Sequence, residues 1–233
     1  MLFEKNLIPI LDKTLREIII VGYQNYDFAK SLVVGEIVYE DFCLDLSSFG
    51  LLLFTSKNAI LSLEQNSLKY PQMQIWKQIP SYVIGKSSAK TLQELGGSLA
   101  CISPNAHGRE FASFLESTLN PKIPILYLRA MNIASSLDER LRKKGFDIYS
   151  QIAYRSKMLN LSSSSKPKKD SILLFTSPSA YRFFLQNFEW DLSYIAIALG
   201  RTTFESFEKN IKAEISTTQE ICQTYLALQK RFK

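Results

Sequence analysis

The apolar positions of this chain come in short continuous runs. Each run meets a polar step and then apolar residues at helical spacing. LLLF (51–54) leads into TSKNAI, and ILLF (172–175) leads into TSPSAY. YVI (82–84) and YIAIAL (194–199) each lead into a glycine, a basic residue and two hydroxyl residues. These are Gly85-Lys86-Ser87-Ser88 and Gly200-Arg201-Thr202-Thr203, and a helical pattern opens after each. A short apolar run without polar alternation predicts a strand buried on both faces, as in parallel sheets. Strands alternating with helices predict α/β units.

The units recur half a chain apart, so the pattern is an internal repeat. SPNAHGREFASFLESTL (103–119) and STTQEICQTYLALQKRF (216–232) are both polar starts to amphipathic helices. Thr217 with Glu220 forms a capping-box pattern, and Ile221, Tyr225 and Leu228 share one stripe. A weaker pair is KIPILYLRAMNIASSLDERLRKKG (122–145) and REIIIVGYQNYDFAKSLVVGE (16–36), each read as a strand then a helix. Ala134, Leu137 and Leu141 share a stripe there, with Gly145 as C-cap. The repeat predicts an α/β protein of two similar small domains, each a parallel sheet flanked by helices. EIVYEDFCLDL (36–46) and FDIYSQIAYRSKML (146–159) alternate instead and read as extended strands between domains. NLSSSSKPKKD (160–170) reads as a loop, with Lys166, Lys168 and Lys169 as linker charge. Phe183, Phe184 and Phe188 stand at helical spacing and read as core.

Composition narrows the chemistry. The chain has 233 residues, 46% hydrophobic and 21% charged, with a net charge of +6. That excess favours acidic ligands without choosing among them. Cys43, Cys101 and Cys222 are odd in number and in no CxxC spacing, and His107, read as a surface or capping residue, is the one histidine. Disulfides, zinc and histidine-dependent triads therefore have little support. Neither GxxxxGK(S/T) nor GxGxxG occurs, so no nucleotide and no other cofactor is expected. Basic residues are not gathered on one helix or interleaved with aromatics, which argues against nucleic acid. No run of 18 apolar residues predicts a membrane span. Residues 1–15 lack a signal-peptide cleavage pattern and read as a helix or an extension before the first strand.

In parallel α/β sheets, ligands bind outside the carboxyl ends of the strands, where strand turns into helix. The first helical N–H groups there lack internal partners and attract anions. Ser56, Ser87, Ser88, Ser177, Ser179, Thr202 and Thr203 would add hydroxyls, with Asn58 in the first junction. Each hydroxyl is equally readable as a plain N-cap worth about 1 kcal/mol. Lys57, Lys86, Arg129 and Arg201 lie beside these junctions as carboxylate partners or as a solvated basic rim. Two such faces across a cleft would suit a ligand with many anionic groups.

In order, FTSKNA (54–59), VIGKSSAKTL (83–92), YLRAMNIASSLDERLRKKG (127–145), AYR (153–155), FTSPSA (175–180) and ALGRTTFES (198–206) resemble the uroporphyrinogen-III synthase family, from about residue 16 to the end. The resemblance implies a discontinuous domain, 1–35 plus 172–233, and a second, 48–145. Linkers 36–47 and 146–171 would pair as a two-stranded hinge. Spacing alone equally allows a tandem split near residue 120. The implied activity is that of a lyase closing hydroxymethylbilane, a linear tetrapyrrole with eight carboxylates, with inversion of ring D and loss of water. Tyr154 matches the family's tyrosine placed as general acid, and its other reading is an aromatic packed on a hinge strand. The residues depart from the family at VGY (21–23), where a Thr-Arg pair is usual. A cytoplasmic monomer is implied, without membrane or nucleic-acid partner, in transient contact with the enzyme that makes hydroxymethylbilane. The residues by themselves also fit a non-catalytic, two-lobed binding protein for a small polyanion.

Overall fold

The computed structural model describes residues 16–103, 108–132 and 136–232. The expectations for residues 1–15, His107 and Ala134 fall outside them. Strands β1 (Ile18–Gly22), β2 (Lys30–Val33) and β3 (Gly35–Tyr39) come first. Four strand–helix units follow: β4 (Leu51–Phe54) with α1 (Lys57–Lys69), β5 (Ser81–Val83) with α2 (Lys86–Glu94), β6 (Leu99–Ile102) with α3 (Gly108–Thr118), and β7 (Ile125–Ala130) with α4 (Leu137–Lys143). After β8 (Ile148–Met158) the series resumes with β9 (Ile172–Phe175) and α5 (Pro178–Asn187), β10 (Ile195–Ala198) and α6 (Arg201–Glu205), then β11 (Lys212–Ile215) and α7 (Ile221–Phe232).

The strands form a five-stranded sheet, β11-β10-β9-β1-β2, and a six-stranded sheet, β3-β8-β7-β4-β5-β6. The first is parallel throughout, and the second is parallel from β8 to β6. Two compact units result. One ends at Glu36 and resumes at Met158, and the other is Ile37–Lys157. The order β2-β1-β9-β10-β11 in one unit matches β8-β7-β4-β5-β6 in the other, so the duplicated FTS strands β9 and β4 hold equivalent central places. β3 runs antiparallel to β8. Glu40 N–H donates to Ala153 C=O and Leu159 N–H to Val34 C=O, so one strand ascends as the other descends.

The unbroken apolar runs have a direct cause. Along β4, Leu52 and Phe54 enter a core with Ile60, Leu63 and Trp76, while Leu51 and Leu53 enter a second core with Phe111, Leu115 and Tyr127. Along β9, Leu173 and Phe175 face Phe184 and Tyr194, while Ile172 and Leu174 face Ile197 and Leu228. A strand covered on both faces needs apolar side chains at every position, each worth about 1.5–3 kcal/mol when fully buried. Phe184 and Phe188 are buried and Phe183 partly so, as their spacing predicts. Gly145 closes α4 at φ +83°, in the left-handed region where glycine is unstrained.

Three local expectations are corrected. The helix expected after β1 does not form. Residues 23–29 turn instead, with Ala29 N–H on Tyr26 C=O (3.1 Å) and Tyr26 N–H on the Ser31 hydroxyl (3.0 Å). β2 then lies parallel beside β1. Its Val33-Val34-Gly35 continuation favours extended backbone over helix. The strand expected over 36–46 stops at Tyr39, because an α1 side chain takes over its backbone bonds. Asn66 accepts from Phe42 N–H (3.0 Å) and donates to Glu40 C=O (2.9 Å). At α7, Thr218 rather than Thr217 accepts from Glu220 N–H (3.2 Å).

Candidate functional site

The predicted site residues fall at the carboxyl ends of the two sheets. In the unit 37–157, β4 ends at Phe54 and the chain turns through Thr55 and Ser56. Ser56 is the N-cap of α1, extended at φ −157°, and its Oγ accepts from Asn58 N–H (3.2 Å). Lys57 is exposed and makes no ion pair among the described residues. Beside it, β5 turns through Gly85 at φ +80°, a left-handed angle with open space where a Cβ would stand. Glycine is needed there for its backbone angle and not for room. Lys86 and Ser87 are exposed, while Ser88 is buried against the α2 core.

On the other side of β4, β7 ends in Arg129 and Ala130. The Arg129 guanidinium donates through Nη1 to the carbonyls of Ala130 (3.0 Å) and Met131 (3.3 Å), and its Nε lies 3.6 Å from the Asp138 carboxylate. Asp138 is buried and also accepts from Ser150 Oγ (2.7 Å) and Arg142 Nη2 (3.3 Å). Burial pushes its carboxyl up, but the Ser150 hydroxyl and the Arg129 and Arg142 charges outweigh this and leave it below the usual range. Much of Arg129 is thus engaged in holding its own loop. Tyr127, two residues earlier, is buried with its hydroxyl 3.2 Å from Thr55 Oγ1, and burial pushes its phenol up to about 12. Tyr154 stands on β8 level with Ala130, half-buried against the α1 core.

The other unit, which ends at Glu36 and resumes at Met158, repeats this plan. Ser177 caps α5 and accepts from Ala180 N–H (3.1 Å). Its Oγ lies 3.3 Å from Ser179 Oγ, which accepts a short hydrogen bond from the Tyr23 hydroxyl. Gly22 sits so close to Thr176 that a Cβ would meet its Oγ1 at 2.7 Å. At the β10 end, Arg201 is exposed and pairs with Glu205 (3.5 Å). Thr202 is exposed and Thr203 buried. In both hydroxyl pairs, therefore, the first member faces solvent and the second faces the core.

The family model described as uroporphyrinogen-III synthase HemD matches residues 36–220 of this chain. The chain belongs to the uroporphyrinogen-III synthase family. Among solved structures, the uroporphyrinogen-III synthetase of Helicobacter pylori 26695 superposes with a TM-score of 0.78 at 34% identity, covering 94% of this chain and 100% of that one. A mutant uroporphyrinogen III synthase of the extremely thermophilic bacterium Thermus thermophilus gives 0.63 at 12% identity, covering 93% and 98%, a likeness of fold. No curated protein sequence gave a match.

Within this uroporphyrinogen-III synthase fold, Ser56, Lys57, Asn58, Lys86, Ser87, Arg129 and Tyr154 lie at the carboxyl-end face of one sheet, and Ser177, Ser179, Arg201 and Thr202 at that of the other. Ser88 and Thr203 are the two that turn inward. Sequence reasoning missed Tyr23, Thr55, Tyr127 and Asp138. Thr55 and Thr176 were visible as the middle letter of each FTS, whereas nothing in DERLRK marks Asp138 as buried. A groove between β11 and α7, lined by Ile215, Thr224, Leu228 and Arg231, includes none of these residues. Among the described residues no His, Cys, Asp and Glu side chains cluster as a metal site, and no helix is long and apolar enough to cross a membrane.

Proposed function

We infer that this chain carries out its family's reaction, closing hydroxymethylbilane to uroporphyrinogen III with inversion of ring D and loss of water. The family match over residues 36–220 carries this reading. The hydroxyl on ring A leaves as water, and the electrons of the ring form an azafulvene cation. Ring D attacks through its substituted carbon to give a spiro intermediate, which fragments and recloses at the other carbon, and loss of that carbon's proton restores the pyrrole. Without assistance the chain closes without inversion, so the protein must hold the reacting ends close and exclude water. The exposed Lys57, Lys86 and Arg201, with the hydroxyls of Ser56, Ser87, Ser177, Ser179 and Thr202, hold acetate and propionate groups. Asn58 and Arg129 stand beside them, and Ser88 and Thr203 serve through their helix-start backbone. Tyr154 donates the proton that turns the departing hydroxide into water. The protein works as a cytoplasmic monomer and takes its unstable substrate in transient contact with the enzyme that makes it.

The test is to supply freshly made hydroxymethylbilane to the purified protein and separate the oxidised products by isomer. A dominant type III isomer is expected. Type I alone, at the spontaneous rate, would leave a non-catalytic polyanion-binding protein as the better reading.

A further inference from the structure

The register of β8 against β7 carries an irregularity. Ile125 to Arg129 pair with Ile148 to Ile152 one for one, but Ala130 then pairs with Tyr154. Ala153 is therefore an extra residue, a bulge in a parallel pair, where bulges are rare. Side chains normally alternate between the faces of a strand, yet Ala153 and Tyr154 both pack against the core of α1 and α2. Without the bulge, Ala130 would pair with Ala153, and Tyr154 would point to the α3–α4 side of the sheet.

The bulge is fastened on every side. Ala153 C=O accepts two donors, the buried Ser62 hydroxyl of α1 (2.6 Å) and Glu40 N–H (2.9 Å). The Glu40 carboxylate pairs with Arg155, so Glu40 grips the residues before and after Tyr154. From β7, Met131 N–H donates to Tyr154 C=O (2.8 Å), and Arg129, with Asp138 behind it, holds the Ala130 and Met131 carbonyls. Ser62 sits within α1, fully buried, and its hydroxyl is spent on one carbonyl of another element. We propose that Ser62 is a positioning residue, and that the Ala153 bulge it pins turns Tyr154 toward the α1 side at the carboxyl end of the sheet. This rests on Tyr154 acting in the reaction.

A double-mutant cycle tests it. Ser62→Ala removes the pin while adding helix propensity, and Ala153 C=O keeps its bond from Glu40. Expected are a fall in kcat of about tenfold with KM little changed, and no further fall when Ser62→Ala is added to Tyr154→Phe. A tyrosine-ring NMR signal, assigned by its loss in Tyr154→Phe, should also shift in Ser62→Ala. If Ser62→Ala does not fold, Ser62→Cys keeps the volume with a weaker donor and enters the same cycle. Unchanged kcat, or an equal loss in both backgrounds, overturns the positioning role and leaves Tyr154 in place. Full activity of Tyr154→Phe overturns both.

Discussion

Ser177 has one hydroxyl and two uses for it. Its lone pair caps α5 through Ala180 N–H, and its proton can turn either to Ser179 Oγ, 3.3 Å away, or outward to a ligand. Ser56 repeats the arrangement on α1. The two roles separate under substitution. Ser177→Ala should cost about 1 kcal/mol of stability, whereas Ser177→Asp keeps the cap and suits the helix dipole. If Ser177 meets a substrate carboxylate, Ser177→Asp should leave the urea midpoint near that of the parent protein and raise KM several-fold. An unchanged KM would confine Ser177 to capping. These positions were legible as hydroxyls at strand–helix junctions. Their burial was not, because the face that Ser87 or Ser88 presents depends on how α2 docks.

At the scale of elements, strand β4 is tied to β7 by the Thr55–Tyr127 contact, directly beneath the first FTS junction. Its phenol is raised by burial from 10.0 to about 12, so the folded protein keeps this proton where the unfolded chain has lost it. The sign follows from linkage. Stability from this group is full below about pH 10 and is lost as pH rises towards 12, amounting to roughly 3 kcal/mol. Tyr26, Tyr39, Tyr181 and Tyr194 are raised by burial as well and add to the same decline. Tyr127→Phe should therefore show a shallower fall in urea midpoint between pH 10 and 11 than the parent protein. Equal slopes would mean that Tyr127 ionises as freely folded as unfolded. The continuous runs LLLF and ILLF made β4 and β9 legible, since two-sided burial leaves a local mark. The strand-end expectations failed where one side chain intervened. Asn66 took the amide that would have prolonged β3, and the turn at Tyr26–Ala29 returned the chain as β2 where a helix was expected.

At the scale of the whole molecule, the net charge of +6 faces a substrate with eight carboxylates. Long-range attraction of that kind is screened beyond about 10 Å at 0.1 M salt. Measured kcat/KM should then fall several-fold between about 0.02 and 0.3 M salt, with kcat little changed. A flat profile would place the affinity in short-range contacts alone. The periodicity of the chain determined most of the strands, though not β2, β6 or β11, most of the helices and the twofold junction, because buried runs, helix stripes and cap residues are local properties. Tertiary structure decided that β1 pairs with β9 in one sheet with β10 and β11. It also decided that Ala153 is squeezed out of register behind Tyr154 and that Asp138 is buried between two arginines. The strand pairing and the bulge depend on backbone bonds brought together from distant parts of the chain, and the burial of Asp138 on how α4 packs, while a strand's apolar pattern shows that it will be covered without showing by what.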